Sequence, residues 1–226
     1  MAQPLVITID GPAGAGKSTV AQKLATRLGL MYVDSGATYR AAALKVLECG
    51  IDPHDEPAVA KLISATDVQV TTGGGEPRVL LDGNDVTARL RTPEVTFAAA
   101  QVSRLREVRA KLIEMQRAFA RDRGVVMEGR DIGTVVFPNA ALKVFLKADP
   151  VERARRRLKQ DSKEGRSATL EQTAYEIARR DQLDAERKIS PLVAAADAYR
   201  IDSTHLAADQ VVEEILGFAR KKKLLE

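Results

Sequence analysis

The chain has 226 residues, of which 45% are hydrophobic and 29% charged, enough for one globular domain with a sizeable core. No run reaches the ~20 consecutive apolar residues of a transmembrane helix, and Met1 to Pro4 lacks the basic region of a signal peptide. Cys49, the one cysteine, permits no internal disulfide, so the cytoplasm is the expected compartment; with only His54 and His205 beside it, a dedicated transition-metal site is not expected. The net charge of +4 is spread among interleaved acids and does not by itself name a partner.

In chain order, Leu5 to Ile9 is a short apolar run rich in β-branched residues, as in a strand buried on both faces. Lys17 to Leu28 reads as a helix with Val20, Leu24 and Leu28 on one stripe and Gly29 as its stop. Met31 to Val33 is a second strand and Thr38 to Leu47 a second helix. Strand and helix in alternation predict an α/β fold with a central parallel sheet covered by helices. Between Thr66 and Leu90 the chemistry changes. The alternating Asp67 to Val70, a turn at Gly73-Gly74-Gly75, the strand Arg78 to Asp82 and a turn at Gly83-Asn84 predict a small antiparallel insert.

Ser103 is positioned to cap a long helix carrying Leu105, Val108, Leu112, Met115 and Phe119 on one face and stopping at Gly124. Val125 to Met127 and Leu142 to Leu146 are further strands. Pro150 opens an Arg-rich helix running toward Lys159, and another helix spans about Leu170 to Arg187. Ala198 to Ile201 and Ala207 to Lys221 are the last strand and helix. The organisation expected is a single domain over 1–226.

Gly11-Pro12-Ala13-Gly14-Ala15-Gly16-Lys17-Ser18, followed by Thr19, fits GxxxxGK[ST] between a strand and a helix. Glycines let successive amides point inward, and the helix start adds partial positive charge, so the loop suits a polyphosphate such as that of ATP. Lys17 would reach the β- and γ-phosphates, and the Ser18 hydroxyl would serve as a magnesium ligand. The loop alone does not give the reaction.

Three further clusters look like binding equipment. Asp34-Ser35-Gly36-Ala37-Thr38-Tyr39-Arg40 follows the second strand; Asp34 or Ser35 could equally cap the next helix, whereas Arg40 near a helix start opposes the dipole. Glu128-Gly129-Arg130-Asp131-Ile132-Gly133-Thr134 follows a strand and gathers charges that are poor structural glue, the alternative being a salt-bridged turn. Arg180, Asp184 and Arg187 fall at i, i+4 and i+7 and would share one helical face, which taken alone reads equally as a solvated face with i,i+4 ion pairs. No nucleophile has a paired base, which suits direct phosphoryl transfer by positioning and charge neutralisation.

These motifs, with Val135-Val136-Phe137-Pro138, Ser190-Pro191-Leu192 and Ala195-Ala196-Asp197, resemble the bacterial cytidylate kinase family over essentially the whole chain. The resemblance implies a P-loop kinase fold, a single kinase domain with a core at 1–50 and 100–226, an acceptor-binding lobe at about 51–99 and a short lid at about 153–166, that converts ATP and CMP or dCMP into ADP and CDP or dCDP. It implies Arg40, Arg130 and Arg187 on the acceptor phosphate, Ser35, Arg109 and Asp131 near the cytosine, and Arg180 with Asp184 at the sugar. Arg153, Arg156 and Arg157 of the lid would meet the phosphates on closure. A monomer with no nucleic-acid or membrane partner is expected. Cytosine chemistry agrees: a carboxylate such as Asp131 accepts from the exocyclic amine, and uracil would leave it unpaired. One departure is Ala98-Ala99-Ala100, where a serine hydroxyl toward the sugar is expected in relatives. The rival expectations are a kinase for UMP, AMP or another phosphorylated metabolite, and a regulatory or nucleic-acid-stimulated P-loop ATPase, argued from the basic charge alone.

Overall fold

A computed structural model describes residues 4–71, 77–163, 166–187 and 189–225. In chain order it contains β1 (Val6–Asp10), α1 (Lys17–Leu28), β2 (Met31–Asp34), α2 (Ser35–Glu48), α3 (Glu56–Ser64), β3 (Val68–Thr71), β4 (Arg78–Leu81) and β5 (Asn84–Asp85). It continues with α4 (Pro93–Val102), α5 (Arg106–Ala118), β6 (Val125–Gly129), β7 (Leu142–Lys147), α6 (Pro150–Lys163), α7 (Leu170–Ala185), β8 (Tyr199–Asp202) and α8 (Ala208–Lys221). The chain forms two compact units, Met1–Leu30 with Gly124–Glu226, and Met31–Arg123.

In the first unit, β6, β1, β7 and β8 lie side by side and parallel, with Val6 opposite Val125, Ile7 opposite Leu142, and Val144 opposite Tyr199. Ile7, Ile9, Val125, Val126, Met127, Leu142 and Leu146 are fully buried, which accounts for unbroken apolar runs where a half-exposed strand would alternate. The helix α1 spans the residues its pattern predicts. It closes on Gly29, whose left-handed backbone (φ 63°) lets its amide and the next reach the carbonyls of Thr26 and Ala25. Val20, Ala21, Leu24 and Ala25 form its buried face.

The second unit is built around α2, whose Ala41, Ala42 and Ala43 are wholly buried, packed with Val46, Val59, Ile63, Ala98, Val102, Val108 and Leu112. The antiparallel insert is present as β3, β4 and β5, with Val68 opposite Leu81 and Leu81 opposite Asn84. Asn84 therefore belongs to a strand rather than a turn, and the bend lies at Asp82-Gly83, both with positive φ. The turn expected at Gly73-Gly74-Gly75 lies outside the described residues.

One helix expectation is corrected. Ser103 does not start a long helix; it ends α4, and its hydroxyl donates backward to the Ala100 carbonyl at 3.1 Å. The helix α4 begins at Thr92, whose Oγ1 accepts from the Val95 amide, with Pro93 in the first turn. Its stretch Phe97 to Val102 is apolar or small on most sides, so no periodic stripe betrays it. The next helix, α5, runs only to Ala118 and so ends before Gly124, where a Cβ would lie 2.6 Å from Leu30 Cδ2 and 3.0 Å from the Leu5 carbonyl. The helix α3, opened by the Asp55 carboxylate on the Ala58 amide, was not expected from the pattern.

Candidate active site

Two of the phosphate-loop glycines are required by close approach. A Cβ on Gly11 would sit 2.1 Å from the Leu146 carbonyl oxygen, and one on Gly14 (φ 75°) would sit 2.7 Å from that of Arg153. The loop delivers its chain into α1 through Gly16, in the left-handed region at φ 89°. No side chain caps this helix start and its first turn holds no acid, so the amides and partial positive charge are left for an external anion. Lys17 is buried and its Nζ donates to the Pro12 carbonyl at 2.8 Å, folded along the loop it serves. The helices behind the loop grip it. Ala13 N–H donates to Asp181 Oδ1 at 3.1 Å, while Arg153 donates to the Ala13 carbonyl at 3.0 Å and pairs with Asp181.

The same unit holds five charged residues of the expected acceptor set, Arg130, Asp131, Arg180, Asp184 and Arg187. Arg130 Nε donates to Asp184 Oδ2 at 2.8 Å, and Arg187 pairs with Asp184 Oδ1. Burial by itself would raise the Asp184 carboxyl, but Arg130, Arg187 and Arg180 outweigh it and hold the group below the usual carboxylate range. Arg180, Asp184 and Arg187 do not share one helical face: α7 stops at Ala185, and Arg187 reaches Asp184 from beyond the helix end. Asp131 is buried at the head of a π-helical turn, Ile132–Val136. The lid candidates are held by neighbours: Arg153 by Asp181, Arg156 by Glu152 and the Ser203 carbonyl, and Arg157 by Asp161 at 3.1 Å.

The second unit holds Ser35, Arg40 and Arg109. Asp34 caps α2 through the Ala37 amide at 3.2 Å and pairs with Arg40 Nη2 at 2.6 Å, so the capping reading of this segment holds. Burial would raise Asp34, yet Arg40 and Arg91 hold it below its ordinary range. Arg40 Nε is buried with no hydrogen-bond partner among the described residues. Arg109, only 2% exposed, donates to the Ser103 carbonyl at 3.3 Å and lies 5.5 Å from the Tyr39 ring centre. Ser35 is buried, and its carbonyl accepts from Thr38 Oγ1. The run of alanines at Ala98-Ala99 is buried in the α2 packing.

Residues that pattern reading passed over include Asp10, Asp181 and Tyr39. Asp10 Oδ1 and Oδ2 accept from the Ile132 and Gly133 amides at 2.9 and 2.7 Å. Among the described residues no group of three or more His, Cys, Asp or Glu could hold a metal on its own. Ser18, partly exposed in the uncapped first turn, fits a magnesium ion held chiefly by phosphate oxygens. No described helix is long and apolar enough to cross a membrane.

The family described as cytidylate kinase matches this chain over residues 7–221. Cytidylate kinase of Symbiobacterium thermophilum is 50% identical over 218 residues, 96% of each chain. That of Caldicellulosiruptor bescii is 48% identical over 210 residues, 93% of each, and that of Desulforamulus reducens 48% identical, covering 99% of this chain and 100% of its own. A gluconokinase structure from Sinorhizobium meliloti covers 99% of this chain and 96% of its own at 13% identity and a TM-score of 0.50, a likeness of fold alone. With the uncapped phosphate loop, the arginine cluster at the sheet edge and near-complete alignment to these relatives in agreement, the chain belongs to the cytidylate kinase family.

Proposed function

We propose that the chain transfers the γ-phosphoryl group of ATP to CMP and dCMP, giving ADP and CDP or dCDP. The observation that carries this reading is the pairing, within one unit, of an uncapped phosphate loop with Arg130 and Arg187 converging on a single buried carboxylate. A triphosphate would lie along Gly11 to Thr19, with Lys17 turning from the Pro12 carbonyl to the β- and γ-phosphates. Magnesium, when bound at Ser18, would neutralise phosphate charge and fix the donor's pose.

On the acceptor side, Arg130 and Arg187 would hold the monophosphate; Arg40, whose buried Nε has no hydrogen-bond partner among the described residues, is proposed for the same group. Asp131 would accept from the cytosine amine, with Ser35 and Arg109 on the remaining base atoms, and Arg180 with Asp184 on the sugar hydroxyls. Arg157 would exchange Asp161 for phosphate as the lid closes and water is excluded. The attacking phosphate oxygen of the acceptor is already ionised near neutral pH, so no protein base is needed. The compartment proposed is the cytoplasm and the working form a monomer, without a nucleic-acid or membrane partner.

Coupled ADP release with CMP, dCMP, UMP and AMP tests the reading. The cytidine pair should exceed UMP and AMP in kcat/KM by roughly tenfold or more, since one unmatched buried polar group supplies that discrimination. Equal or greater turnover of UMP or AMP would dismiss it.

A further inference from the structure

The β1–β6 ladder runs out at the pair Asp10 and Gly129. Beyond it the Asp10 carboxylate takes over the pairing. Its oxygens accept from the amides of Ile132 and Gly133, the two residues that follow Asp131, and the side chain is 4% exposed. Asp10 is also covalently joined to Gly11, the first residue of the phosphate loop. One strand end therefore fixes both the donor loop and the peptide that carries Asp131.

The arrangement is costly enough to need a reason. A buried carboxylate beside Asp131 and a phosphate cradle adds negative charge where anions must bind. Lys17 is the nearby charge that opposes it, and burial makes the ionised form unfavourable. An apolar side chain would fill the space without that conflict, but it could not hold two amides in a fixed direction. The contact is tight on the other side as well: a Cβ on Gly133 would lie 2.8 Å from Thr8 Oγ1 and 3.3 Å from Asp10 Oδ2.

We infer that Asp10 is a positioning residue for base selectivity, holding Asp131 in register with the phosphate loop through the Ile132 and Gly133 amides. The inference rests on the reading above that Asp131 accepts the cytosine amine. Asn at position 10 keeps the shape but replaces one acceptor by an NH2 group that faces an amide N–H, so one of the two bonds is lost.

The test compares kcat/KM for CMP with that for UMP in the full-length protein, in wild type, Asp131→Asn and Asp10→Asn. Asp10→Asn should lower the CMP-to-UMP ratio by about tenfold while the ATP KM stays within about threefold, on the scale of one buried charged hydrogen bond. A ratio that moves less than about threefold, or an ATP KM that rises in proportion, overturns the inference. If Asp131→Asn lowers the ratio and Asp10→Asn does not, the inference alone fails; if Asp131→Asn leaves it untouched, the underlying reading fails first. Should Asp10→Asn not fold, Gly133→Ala presses the same contact with the carboxylate intact. A lowered ratio there supports the role, and an unchanged one ends it.

Discussion

Two aspartates in the first unit are almost equally hidden, Asp10 at 4% exposure and Asp184 at 2%, yet they titrate in opposite directions. Burial pushes Asp10 up to about 6 against the pull of two amides, with Asp131 adding to the rise and Lys17 opposing it. At Asp184 burial works the same way, but Arg130, Arg187 and Arg180 overcome it. Amide donors orient a carboxylate without bringing net charge; guanidinium groups do both. At this one edge of the sheet, Asp10 is thus set to align two amides, while Asp184 gathers guanidinium charge around itself.

The largest effect is expected where the first region meets the transferring group. Lys17→Ala should lower kcat by roughly 100-fold to 1,000-fold, the scale of one preorganised charge on a transferring phosphoryl, with an unaltered circular-dichroism spectrum. A variant keeping more than about a tenth of wild-type kcat would contradict the role given to the loop. In the second region, Asp184→Ala strips the partner from Arg130 and Arg187 and should cost about 3 kcal/mol at pH 7 by urea unfolding. Its sign with pH is fixed by the lowered pKa. The stabilisation is present above the unfolded value of 3.8 and fades as the pH falls through the lower native value, so the gap between variant and wild type should narrow as the pH is taken below 3.8. A gap independent of pH would mean that Asp184 acts by packing and not by charge.

The same contrast separates what could be read in the sequence from what could not. The phosphate loop and α1 are specified by residues that touch their neighbours along the chain, and Lys17 and Gly29 bound the helix as its pattern dictates. Asp184 and Arg187 were visible as one cluster and Arg130 as part of another; that Arg130 joins them at Asp184, and that Arg187 does so from beyond the helix end, needed the fold. Ser103 misled because a serine between two helices caps in either direction, and only packing settles which. Asp10 and Asp181 gave no local sign at all. Their partners lie 122 and 168 residues away, at Ile132 and Ala13, and no spacing rule links positions that only the sheet order brings together. Tyr39 could be counted in its motif, but its place beside Arg109 depends on how α5 packs in its unit.

The smallest effect is the sharpest test of the comparison, because it must run opposite to Asp184. Below pH 3.8 Asp10 is protonated whether the chain is folded or not, and it contributes no pH dependence. From there to about 6 the folded protein keeps the proton while the unfolded chain releases it, so stability falls as the pH rises, to a limit of about 3 kcal/mol. Asn does not titrate. The unfolding free energy of Asp10→Asn, measured in urea from pH 4 to pH 7, should therefore gain on wild type by up to about 3 kcal/mol as the pH rises, whatever the offset left by the lost amide bond. The charged groups near Asp10, namely Asp131, Lys17 and Lys143, are present in both proteins and so do not distinguish them. A flat difference, or one that turns in favour of wild type at neutral pH, would mean that the two amides stabilise the charge more than burial opposes it. Asp10 and Asp184 would then be alike, and the division of labour between the two carboxylates would have to be given up.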